Sequence, residues 1–256
     1  MPSVPFASYV ICTSPRSGST LLCGLLAATD AAGRPGSHFH EPSLDRWLEA
    51  YGLAKRSFSS RQDALRAAFD AARRRGTDGT GMFGLRMQRG SSDYFTDALV
   101  ALHPSETSDT ARIEAEFGRT LVIHLSRPDK LDQAISRVRA EQTGLWHRNA
   151  DGSELERLAP PAEPRYDSAA ITRHVAELTE MDAAWNAWFA REGIEPLRVA
   201  YDELSNDPRA ALARVLKALG LGPQRAAQVA MPTAKLADAI SGEWRARFLN
   251  EGRGRD

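Results

Sequence analysis

The stretch that most restricts the fold of this chain lies between residues 8 and 29. The apolar run Tyr9-Val10-Ile11-Cys12 reads as a strand over 8–13. Arg16-Ser17-Gly18-Ser19-Thr20-Leu21 follows it, and Leu22-Cys23-Gly24-Leu25-Leu26 continues as a helix over 20–29. A strand that ends in small hydroxyl residues and Gly before entering a helix turns backbone N–H groups and the positive end of the helix dipole toward one oxyanion. The sequence therefore reads as a P-loop-like cradle for a phosphate or sulfate group.

The kind of cradle is informative. A nucleoside-triphosphate loop ends in Gly-Lys-Ser/Thr, whose Lys reaches the outer phosphates and whose hydroxyl holds magnesium. This loop has no Lys; Arg16 stands at its front instead. An Arg fork binds phosphate or sulfate bidentately and adds positive charge without a metal. A cysteine-phosphatase loop is excluded, because the residue six places after Cys12 is Gly18 where that chemistry needs Arg.

Further strands are expected at Met82–Met87, at Thr120–Leu125, whose apolar run suits a central parallel position, and at Glu195–Tyr201. Helices are expected near 44–48 and over 61–75, 93–102, 130–146, 168–191 and 208–219, with 149–166 as a surface loop or lid. In helix 168–191, Trp185, Trp188 and Phe189 read as a core stripe. Alternation of strand and helix implies an α/β fold, an open, mostly parallel sheet with helices on both faces. Its ligands bind beyond the C-terminal strand ends. At 256 residues, 42% of them apolar, residues 1–256 suit a single domain.

With 33 basic and 33 acidic residues, no overall field attracts nucleic acid or an anionic membrane, so any anion site is local. All but four of the basic residues are Arg, read first as genome bias. Cys12 and Cys23 read as small core hydrophobes rather than a disulfide pair. No leader pattern and no run of about eighteen apolar residues is present, so a soluble, cytoplasmic protein is expected.

A second anion site is suggested where Ser126-Arg127-Pro128-Asp129 follows the central strand and Ser136 lies on the next helix. Alone, this turn reads equally well as a helix cap; paired with the first loop it becomes specific. With it the chain resembles the sulfotransferases, most closely the bacterial trehalose 2-sulfotransferase-like branch. The resemblance rests on Ser14 to Leu22, Ala32-Gly33-Arg34-Pro35, Arg127-Pro128-Asp129 with Gln133-Ala134-Ile135-Ser136, and Tyr201-Asp202-Glu203-Leu204 leading to Ala213–Gly220.

The resemblance implies 3′-phosphoadenosine 5′-phosphosulfate as sulfate donor, with no metal. Arg16, Ser17, Gly18, Ser19 and Thr20 would hold its 5′-phosphosulfate, and Arg127 with Ser136 its 3′-phosphate. Trp244 resembles part of a C-terminal segment that closes over the donor's adenine. Arg16 would also stabilise charge on the departing phosphate. The acceptor hydroxyl needs a base, but the family's catalytic Glu, two residues past the Gly-x-Pro turn, is replaced here by Ser37. Glu41 is the first choice in its place, then His38, with His40 also near. Arg86 at a strand end could face the acceptor, and Trp146 with His147 could stack on a sugar. The implied partner is a small carbohydrate or glycolipid acceptor. Relatives form homodimers, although no surface stripe here demands one. The rival readings are a catalytically silent nucleotide-binding protein and another P-loop transferase or small-molecule kinase.

Overall fold

The computed structural model describes residues 6–232 and 239–253. From the N-terminus the chain runs through β1 (Ser8–Thr13), α1 (Ser19–Ala27), α2 (Leu44–Ala50), α3 (Arg61–Thr77), β2 (Phe83–Gln88), α4 (Arg89–Leu102), α5 (Asp109–Phe117) and β3 (Thr120–Ser126). It continues through α6 (Lys130–Thr143), β4 (Leu145–Arg148), β5 (Glu154–Arg157), α7 (Ser168–Glu192), β6 (Leu197–Ala200), α8 (Tyr201–Asn206), α9 (Pro208–Ala218) and α10 (Ala239–Arg253).

The strand order β2-β1-β3-β6 is parallel throughout. Burial explains why β1 is apolar from Tyr9 to Cys12, between its terminal Ser8 and Thr13. Tyr9 and Ile11 pack with Ile123 and Leu125 against α1 and α9, while Val10 and Cys12 pack with Leu85 and Val122 against α3, α4, α5 and α7. A parallel strand covered on both faces has no solvent side to carry polar residues. The expected α/β architecture is therefore observed, with Trp185, Trp188 and Phe189 buried as a core stripe on α7.

Thr13 lies opposite Leu125, so β1 and β3 release their chains side by side at one sheet edge. There Thr13 Oγ1 donates to the Leu125 carbonyl at 3.0 Å, and Trp185 Nε1 donates to the Thr13 carbonyl at 2.9 Å.

The middle of the chain departs from expectation. Gly144, at φ 70°, ends α6 at Thr143 instead of Trp146, a left-handed position that Gly adopts without steric cost. The next residues form β4, which pairs antiparallel with β5, so much of the expected loop is a hairpin. Tyr201, expected in a strand, opens α8, and α5 and α10 were not expected as helices. No helix among the described residues is long and apolar enough to cross a membrane.

Candidate active site

The first wall is the loop between β1 and α1. Its two bends use φ of 64° at Arg16 and 87° at Gly18. Gly18 is required twice over: L side chains rarely adopt this φ, and a Cβ there would stand 2.7 Å from Cδ2 of Tyr201. The back of the loop is held from the core. Ser17 is hydrogen-bonded to Thr13, and Gln133 Nε2 donates to Ser14 Oγ at 3.0 Å and to the Pro15 carbonyl at 2.7 Å. The Ser17 and Ser19 side chains are consequently buried behind the loop. Gly18 gives α1 no side-chain cap and the first turn holds no acidic residue, so its N-terminal amides lack an intrinsic acceptor.

Arg16, Gly18, Thr20, Arg127, Ser136 and Tyr201 line one cavity of about 490 Å³. The two stretches read as anion sites thus face the same space. Arg16 Nε donates to Ser136 Oγ at 3.0 Å and its Nη1 to the Trp146 carbonyl. Ser136 therefore contacts Arg16 rather than Arg127. Among the described residues no carboxylate pairs with Arg16. Burial, and then the charge of Arg127, pull its guanidinium down to about 10. Arg127 lies 4.3 Å from the centre of the Tyr201 ring and 3.6 Å from Asp132. Tyr201 therefore joins the two grips, touching Gly18 with one edge and Arg127 with its face. Two mutually repelling guanidiniums around one cavity, one of them paired with no carboxylate among the described residues, are a fit for a doubly anionic ligand.

Thr20 is met by two further side chains, Arg86 and His147, of which only His147 lines the cavity. Arg86, at the end of β2, donates through Nε to Ser37 Oγ at 2.8 Å and through Nη1 to Thr20 Oγ1 at 2.9 Å. From β4, Nε2 of His147 lies 3.0 Å from the same Thr20 oxygen. Burial first, then the charges of Arg16 and Arg86, pull the His147 imidazole down to about 4, so it is neutral at pH 7. Its strand ends in Arg148 and pairs with the strand ending in Arg157, and both arginines also line the cavity.

Glu41, His38 and Trp244 do not line the cavity. Glu41 is half-exposed and holds Arg46 through both oxygens, at 2.8 and 3.1 Å; this bonding keeps its carboxyl below the ordinary value. His38 is buried, stacked on Phe83 at 5.8 Å with Nε2 3.2 Å from the Arg34 carbonyl, and burial lowers it to about 4. Trp244 is buried among Ile135, Val138 and Ile171, edge-on to Tyr166. It supports the cavity wall from behind, while Ile240 and Ser241 of the same helix reach the cavity. A Glu41→Gln variant is expected to keep the protein's activity within about threefold of native, because an exposed ion pair of this kind contributes about 1 kcal/mol or less. Among the described residues no group of His, Cys, Asp and Glu could hold a metal ion.

Residues 8–251 match the family model described as Stf0 sulphotransferase. The chain is 29% identical to the trehalose 2-sulfotransferase of Mycobacterium tuberculosis (strain Erdman), covering 95% of this chain and 94% of that one. It is 27% identical to the trehalose 2-sulfotransferase of Mycolicibacterium smegmatis, with 95% of each covered. Among solved structures it is similar to the sulfotransferase domain of the Synechococcus PCC 7002 olefin synthase, at 17% identity and TM-score 0.40 over 95% of this chain and 90% of that one. A sulfotransferase from Alicyclobacillus acidocaldarius matches at 14% identity and TM-score 0.44, over 96% and 93%.

Proposed function

This chain belongs to the Stf0 sulphotransferase family, and from that premise we propose that it moves a sulfuryl group from 3′-phosphoadenosine 5′-phosphosulfate to a hydroxyl of a carbohydrate or glycolipid. The observation that carries the reading is the pair Arg16 and Arg127 around one cavity, with Arg16 unpaired by any described carboxylate. The loop amides of 17–20 with Arg16 would hold the 5′-phosphosulfate, and Arg127 the 3′-phosphate. Ser136, bonded to Arg16, would help orient that guanidinium. As a bound substrate the donor supplies an activated sulfuryl group on a phosphate leaving group.

The chain's own task is electrostatic. Negative charge builds on the departing phosphate oxygen in a loose, in-line transfer. Arg16 and the first turn of α1 are fixed where that charge appears, so little reorganisation is needed. No metal enters this reading. A sugar acceptor is supported by the two relatives named for trehalose. A single domain and a cytoplasmic location complete the proposal; the latter suits two buried, unpaired cysteines.

Calorimetric titration with adenosine 3′,5′-bisphosphate and with ATP plus magnesium tests the class. At least about 10-fold tighter binding of the bisphosphate is expected, since a second phosphate held by a largely buried Arg contributes roughly 1.5–3 kcal/mol, with about 1.4 kcal/mol per factor of ten. Equal binding, or preference for ATP, would replace the reading with a P-loop kinase. Tight bisphosphate binding with no transfer to any sugar would make the protein a silent binder.

A further inference from the structure

We infer that His147 is the general base that takes the acceptor's proton, an assignment that rests on the sulfotransferase reading above. The family's Glu position holds Ser37, whose hydroxyl cannot act as a base near neutral pH, so this chain must draw its base from elsewhere. Of the described acids and histidines lining the cavity, Asp132 and His147 are the candidates. Asp132 is committed to Arg245 at 2.7 Å and faces Arg127 at 3.6 Å, on the side of the second anion grip. His147 is at the first grip, 3.0 Å from the Thr20 hydroxyl.

The hydrogen bonds at Thr20 bear on which nitrogen is available. A guanidinium only donates, so Thr20 Oγ1 accepts from Arg86. Thr20 keeps one proton and one further lone pair for His147, and we assign the sense in which Thr20 donates, which leaves Nε2 unprotonated and puts the ring proton on Nδ1; the opposite sense would have Nε2–H between Thr20 and Glu156. When Thr20 turns that proton to an anionic oxygen held in the loop, the Nε2 lone pair is released next to the sulfuryl group. Occupation of the loop would thus free the base.

The transfer then balances. The acceptor O–H gives its proton to Nε2 as the acceptor oxygen bonds to sulfur. The bond from sulfur to the bridging oxygen breaks, and its electron pair leaves on the 5′-phosphate of adenosine 3′,5′-bisphosphate. The imidazolium later passes its proton to water. Three charged groups face the ring: Arg16 from the loop, Arg86 from β2, and Glu156 from β5, whose Oε2 lies 3.5 Å from Nε2. Burial first, and then the two cations, keep the resting ring neutral. Added negative charge in the loop offsets them and makes the ring more basic, while Glu156 stands ready to stabilise the imidazolium.

In ¹⁵N spectra of the free protein at pH 7, His147 is expected to be neutral with Nε2 unprotonated. With labelled donor and trehalose, maltose or water as acceptor, His147→Gln is expected to lower kcat by about 10²–10⁴. Its affinity for adenosine 3′,5′-bisphosphate should stay within about threefold of native, because no anion grip is lost. The native enzyme should lose activity toward acid pH with a limb that His147→Gln lacks, and imidazole should restore much of the activity of His147→Ala. An Nε2-protonated ring, native turnover in His147→Gln, or loss that imidazole does not relieve overturns the assignment while leaving the sulfotransferase reading intact. Failure of the native protein to bind the bisphosphate or to transfer label to any of the three acceptors overturns both.

Discussion

Arg16→Ala is expected to lower kcat/KM for the donor by at least about 10²–10³, the loss typical of removing one group that stabilises developing negative charge. Arg16→Lys should recover only part of this, since an ammonium keeps the charge but not the planar fork that Ser136 and the Trp146 carbonyl orient. The effect on folding should run the other way. Burial and the facing Arg127 both disfavour the Arg16 cation in the free protein, so its removal should leave the unfolding midpoint unchanged or raised. An arginine kept for structure would show the reverse, with stability falling and kinetics spared. Initial rates alongside urea denaturation separate the two; a variant that unfolds early yet turns over normally would remove Arg16 from the site.

Gly18→Ala is the second large effect. The methyl group must occupy φ 87° and meet the Tyr201 ring at 2.7 Å. The backbone part alone costs about 1–3 kcal/mol. Because Tyr201 also covers Arg127, relief of the clash by moving the ring disturbs both anion grips. Affinity for adenosine 3′,5′-bisphosphate should drop by at least about 10-fold beyond what the stability loss accounts for, one factor of ten being 1.4 kcal/mol. Adding Tyr201→Ala should relieve the steric part and leave the strain of the positive φ. If Gly18→Ala binds the bisphosphate normally, the loop is not a grip.

The parts of the molecule that could be read from the sequence are those whose physics is local. β1, its loop and α1 follow from an apolar run, Gly18 and an apolar helix; β3, Arg127 and α6 follow the same way. The hairpin β4–β5 could not be read, because Trp146-His147-Arg148 and Glu154–Arg157 lack the apolar alternation of a half-buried strand. Helical spacing instead carried α6 past Gly144. Glu41 drew notice from its neighbours His40 and Pro42, yet its partner, Arg46, sits only five residues on and holds it at the surface. His147 meets Thr20 across 127 residues, a distance over which spacing carries no signal. Trp244 was expected over the donor's adenine but is buried in the core beside the cavity, since an aromatic on a terminal helix can cover a cavity or support its wall and the sequence does not say which.

The side-by-side exit of β1 and β3 has a consequence for ligand choice. Neighbouring strands sit about 4.8 Å apart, and the Thr13 to Leu125 hydrogen bond pins that spacing at the very edge where both loops begin. The separation of the two cationic loops is therefore dictated by sheet geometry, and under the proposed function it would act as a ruler that sorts molecules by how far apart their anionic ends lie. The hairpin carrying His147 is outside that ruler, so its positions other than those holding Arg16 and Thr20 can change without altering the span.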